Sequence, residues 1–133
     1  MSTIPLYIAI TKGDGVFKQW GLFIDDENQK NKTVLQVKGS DGQFRYEPET
    51  KDARRSPDIV DLIYVCNVDV MKANDIKRVA SEAAVHNDIS GWNCQDYVLD
   101  LMELLEETGV LDGSDEEYRR HMDFVRGIQE GLA

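Results

Sequence analysis

Cysteine and histidine are the scarce reactive residues of this chain: there are two of each, Cys66 and Cys94, His86 and His121. Cys94 has the strongest chemical case. Cys94, Tyr97, Val98, Leu101, Leu104 and Leu105 recur at i, i+3, i+4, i+7, i+10 and i+11, a spacing that predicts one apolar helix face opened by the cysteine. Asn93 is a natural N-cap, Asp96 suits the positive end of the helix dipole, and Gly109 is a natural stop. Unpaired backbone N–H groups in a first helical turn stabilise a thiolate, so the position favours a nucleophile. The same spacing turns the thiol toward whatever the helix packs on, and a small cysteine that only fills space is the competing reading. Cys66 lies inside Leu62-Ile63-Tyr64-Val65-Cys66, where burial would raise its pKa and make it inert. His86, just ahead of the loop leading to Cys94, is the better candidate base, and His121 reads as a surface or capping residue. Trp20 and Trp92 read first as packing residues, and in a ligand cleft they and Asn93 would be the contact residues.

The first half of the chain has to supply a sheet for that helix. Leu6–Thr11, Trp20–Ile24, Thr33–Val37 and Phe44–Glu47 are short runs rich in β-branched and aromatic residues, separated by turn residues such as Gly13-Asp14-Gly15 and Gly39-Ser40-Asp41-Gly42. Glu49–Asp58 reads as a charged, solvated loop. Ile59–Val68 is the longest apolar run and is expected to be the central strand. The period then changes. Ile76, Val79, Ala80, Ala83 and Ala84 predict a helix capped by Asn74 or Asp75 and broken after His86, and Tyr118, Met122, Val125 and Ile128 predict a last helix over Glu116–Glu130. Strands followed by helices, without alternation, predict a single α+β domain over residues 1–133: a largely antiparallel sheet of about five strands against about three helices.

A chain of 133 residues can bury about two-thirds of its unfolded surface without disulfide or metal staples. Its net charge of −10 repels phosphate backbones and anionic lipid, so nucleic acid is not an expected partner. The N-terminus lacks the pattern of a secretory signal, and no apolar stretch approaches the roughly 20 residues of a membrane span. A reduced, cytoplasmic protein is expected. No metal-ligand cluster, Gly-rich phosphate loop or Ser/His/Asp set stands out, so no metal or cofactor is expected. Oligomeric state is left open.

Three segments together carry a resemblance: Gln19-Trp20-Gly21-Leu22-Phe23-Ile24, Val34-Leu35-Gln36-Val37-Lys38-Gly39, and Trp92-Asn93-Cys94-Gln95-Asp96-Tyr97-Val98. They resemble a family of small fungal proteins that looks like the circularly permuted papain-like fold of the lecithin:retinol acyltransferase and phospholipase/acyltransferase group. That group has a strand opening on a histidine, a second strand with another histidine, and a later helix opening Asn-Cys. Strand, strand and helix follow in the same order here, and the resemblance implies a nucleophilic Cys94 at a helix N-terminus facing a sheet. Where the group has its two histidines, this chain has Gln19 and Gln36. Glutamine donates and accepts hydrogen bonds but takes up no proton at neutral pH. General-base help is worth about 10² to 10⁴ in rate, so the implied acyl transfer should be crippled.

Three readings follow. In the first, a catalytically degenerate papain-like domain binds a small molecule or protein in the old cleft, with Gln19, Gln36 and Cys94 lining it. In the second, a cysteine hydrolase or acyltransferase uses Cys94 as nucleophile, Gln19 as oxyanion donor, and His86 or the substrate as base. In the third, the cysteine only packs.

Overall fold

Alternation along the first two strands sets the architecture of the protein, seen here in a computed structural model that describes residues 2–13 and 15–130. In β1 (Thr3–Thr11) the side chains of Ile4, Leu6, Ile8 and Ile10 enter the main core, while Tyr7 and Ala9 join a smaller apolar cluster. In β2 (Gln19–Ile24) Trp20, Leu22 and Ile24 enter the main core and Phe23 the small cluster. The two strands pair antiparallel, with Ile8 opposite Leu22 and Ile10 opposite Trp20, so the large side chains stand on one face.

The remaining strands are β3 (Thr33–Leu35), β4 (Val37–Lys38), β5 (Arg45–Tyr46), β6 (Glu49–Thr50) and β7 (Ile59–Asp69). Five of them form an antiparallel sheet in the order β6-β3-β2-β1-β7, and β4 pairs with β5 in a separate small hairpin. The expected Thr33–Val37 strand is therefore split at Gln36, whose carbonyl accepts the Glu47 N–H at 2.8 Å and turns the chain into the hairpin. The expected loop over Glu49–Asp58 contains β6 and a single helical turn at Ala53–Arg55. The longest apolar run is not central: β7 lies at the sheet edge and β2 in the middle. Only part of the run is enclosed: Val65 and Val68 join the main core under a helix, while Val60 and Tyr64 are 47% and 41% exposed.

The three helices are α1 (Ala73–Glu82), α2 (Cys94–Glu107) and α3 (Glu116–Gly127), which completes the α+β architecture. Helix α2 is as expected. Asn93 Oδ1 accepts the Gln95 N–H at 2.9 Å, Asp96 returns the bond to the Asn93 N–H at 2.9 Å, and the helix gives way at Gly109 with φ +78°. Neither Asn74 nor Asp75 caps α1. The chain enters it from a single turn at Val70–Lys72 that Asp69 caps, and it leaves at Glu82, short of His86. Helix α3 ends at Gly127, three residues before the expected Glu130.

Val98, Leu101, Met102 and Leu105 of α2 are wholly enclosed against the sheet, each such side chain contributing about 1.5–3 kcal/mol. The Tyr97 hydroxyl donates to the Ala80 carbonyl at 2.7 Å, and the Tyr118 hydroxyl donates to Glu106 at 2.6 Å, so α1 and α3 are each pinned to α2. Among the described residues no helix is long and apolar enough to cross a membrane.

Candidate functional site

The start of α2 meets the start of β2. The Cys94 thiol donates to the Lys18 carbonyl at 3.5 Å, and the Gln95 amide donates to the same oxygen at 3.1 Å. Gln95 is fully buried and fully paired: its nitrogen also donates to Glu130 Oε1 at 2.9 Å, and its oxygen accepts the Glu130 N–H at 2.8 Å. Glu130 in turn accepts the Lys18 N–H at 2.8 Å, and Gln129 donates to Asp96 at 2.8 Å. Residues after α3 thus latch the helix that carries Cys94 to the strand that carries Gln19. Lys18, Gln95, Gln129 and Glu130 are absent from the residues expected by sequence. A buried amide joined to an acid 35 positions away leaves no periodic signal.

Gln19, Gln36 and Cys94 line one cleft of about 540 Å³. That volume falls in the range of small-molecule sites, roughly 300–1,000 Å³. Both glutamines are held. Gln19 Nε2 donates to the Val37 carbonyl at 2.9 Å and to the Trp20 carbonyl at 3.2 Å, and Gln36 Nε2 donates to Glu49 at 2.8 Å. Gly21 of β2 leaves room for Gln36 beside that strand. A Cβ on Gly21 would stand 2.5 Å from Val34 Cγ1 and 3.4 Å from Gln36 Oε1.

Trp92 and Asn93 also line the cleft, and Trp92 is anchored by its indole N–H donating to Asp100 at 3.0 Å. Asn93 spends its side-chain oxygen on capping α2. Trp20 does not reach the cleft; it is 1% exposed in the main core, where the strand alternation puts it. His86 packs edge-on against Trp92, with ring centroids 5.6 Å apart, and is not a cleft residue. His121 lies on the far side, its Nδ1 3.0 Å from the Val65 carbonyl. Among the described residues, therefore, no imidazole lines the cleft. The charged loop expected to be solvated contributes Lys51 and Asp58 to the wall.

The thiol is not activated in the expected sense. Burial pushes the Cys94 pKa up, and Asp96 adds to this; the backbone N–H groups of Trp20, Cys94 and Gln95 work in the opposite direction and lose. Cys66 behaves as anticipated, since burial lifts it to about 11. Both cysteines are thiols. Among the described residues no group of three or more His, Cys, Asp or Glu side chains is placed to hold a metal ion.

These contacts define, among the described residues, an α+β domain with a cleft where the start of β2 meets a capped helix. The chain belongs to a family of unknown function (DUF6540), which it matches over residues 6–112. That span takes in Gln19, Gln36 and Cys94 and leaves out α3 and the Glu130 latch. No curated protein matches the chain, and no solved structure does.

Proposed function

We propose that this is a catalytically degenerate papain-like domain that holds a small molecule in the cleft around Cys94. One observation carries the reading: the cleft brings Cys94 together with two amides, at the positions where the resemblance puts imidazoles, and among the described residues the other ionisable groups lining it are aspartates and lysines that are already paired. A protonated thiol, two fixed amides and an aromatic wall make a surface for binding rather than for proton transfer. A reducing, cytoplasmic setting fits two unpaired thiols.

A fragment screen read by amide NMR shifts tests it. Hits should cluster on Gln19, Gly39, Trp92 and Cys94, and hits scattered over the surface would count against the cleft.

The position of Cys94 at the start of α2, where backbone groups of Trp20, Cys94 and Gln95 pull its pKa back down against burial, favours a second reading, a cysteine-dependent hydrolase or acyltransferase. Turnover of a p-nitrophenyl ester separates the two. Binding predicts equal background rates for the wild type and Cys94→Ser, whereas turnover lost in Cys94→Ser would replace the first reading with the second.

A further inference from the structure

The two cleft glutamines are oriented by their partners, and the orientation has a chemical consequence. Gln19 gives both amide hydrogens to carbonyls, and Gln36 gives one to the Glu49 carboxylate. Carbonyls and ionised carboxylates only accept, so each nitrogen must face them and each amide oxygen must face away. Glu49 is ionised because a hydrogen bond from Lys38 holds its carboxyl below the usual value. Neither amide oxygen receives a hydrogen bond from any described residue. Gln36 is 3% exposed, yet no fully buried polar side-chain atom among the described residues is left unpaired. Its unpaired oxygen is therefore not sealed, and the residue lines the cleft.

The charges agree with the amides. Lys38 and Lys51 line the cleft, but Lys38 lies 2.6 Å from Glu49 and 4.0 Å from Glu47, and Lys51 lies 3.4 Å from Glu49. Asp41 and Asp58 also line it, and both lysines are held by Glu49, so among the described lining residues the charges not so held are the two aspartates. The N-terminus of α2, which would otherwise attract an anion, is already answered by Asp96 and by the Asn93 side chain. Trp92 and Phe44, edge to face with centroids 6.0 Å apart, give the wall an aromatic surface that a cation can approach.

We infer that the cleft takes a primary ammonium group on a small apolar body, received by the amide oxygens of Gln19 and Gln36 and by the neighbouring carboxylates. This rests on the binding reading above and names its ligand class. The same group could arrive on a free amine or on a peptide amino-terminus, and the test has an arm for each.

The full chain is titrated at neutral pH with phenethylamine, its N,N,N-trimethyl analogue, 3-phenylpropionate, 2-phenylethanol and the tripeptide Phe-Gly-Gly, followed by cleft amide shifts. Phenethylamine should bind at least about tenfold tighter than 3-phenylpropionate. It should also bind about tenfold tighter than the quaternary analogue, which keeps the charge and loses the N–H donors. Gln19→Met should cost the amine about tenfold and leave 2-phenylethanol unchanged. Phe-Gly-Gly binding more tightly than phenethylamine supports ammonium recognition and assigns it to peptides, and weaker binding assigns it to free amines. If 3-phenylpropionate matches or exceeds phenethylamine at the same amides, the ligand class is wrong and the binding reading stands. If none of the five moves the cleft amides, the binding reading falls as well.

Discussion

The two faces of the sheet are finished differently. Under the helices, Leu6, Ile8, Leu22 and Leu35 are wholly enclosed, and α2 closes the layer with side chains of the same kind. On the opposite face the apolar cluster is small, built around Ala9, Phe23 and Val34, and its cover is ionic. The Arg54 guanidinium lies over the Tyr7 and Phe23 rings at 5.1 and 5.8 Å and pairs with Asp25 at 2.6 Å, and Lys32 pairs with the same carboxylate. Gln19 and Gln36 line the cleft together with Trp92 and Cys94 from the start of α2. A core face selects for volume alone, whereas a half-covered face leaves polar side chains room to face a ligand.

Substitutions can break or sharpen that contrast. The largest loss should come from the helix-covered face: Leu22→Ala should cost about 2–5 kcal/mol in denaturant unfolding, because the enclosed site cannot collapse. On the opposite face Asp25→Asn should cost about 2–3 kcal/mol, since it strands Lys32, itself 7% exposed, while Arg54 can turn to water.

The Asp25 pair also carries a pH signature. Burial alone would raise the Asp25 carboxyl, but hydrogen bonds from Lys32 and Arg54 outweigh it and hold it below its ordinary 3.8. A depressed carboxyl stabilises the fold above its unfolded value and loses that contribution as pH falls through its folded value. Acid unfolding of the wild type should therefore show a component below pH 3.8 that Asp25→Asn lacks.

At the boundary between covered and open surface, Gly21→Ala should cost about 1–3 kcal/mol and weaken ligand binding together with stability, because its methyl would strike Val34. Asn93→Ala should cost about 1 kcal/mol through the lost cap, with circular dichroism still native. The smallest effect is on rate rather than stability. At neutral pH Cys94 should react with iodoacetamide more slowly than free cysteine does, with a pH profile shifted upward, because its raised pKa lowers the thiolate fraction. Reaction faster than free cysteine would reverse the contrast and return the site to catalysis.

Helix α2 was legible because its signals are local: one apolar face, Asn93 and Asp96 three residues apart, and a glycine at the end. The sheet was legible as strands but not as an order. Apolar length was read as centrality, yet β7 lies at an edge, with Val65 and Val68 in the core and Val60 and Tyr64 exposed. The division of the third strand at Gln36 follows from which carbonyl Glu47 finds, a non-local choice that composition does not encode. At the site, Cys94 was found from its place at the start of a helical apolar face, Gln19 and Gln36 through motif resemblance, and Trp92 through its neighbour. Lys51 and Asp58 were missed because a charged loop reads as solvated wherever it folds back, and Trp20 packs in the core, as first read, and not on the cleft, because strand register decides its face.

The Val37 carbonyl that now receives the Gln19 amide has a further use. An imidazole introduced at position 19 would meet that oxygen, and an acceptor held against one ring nitrogen selects the tautomer whose other nitrogen is bare. A Gln19→His variant would thus start with a backbone acceptor at hand to orient its ring.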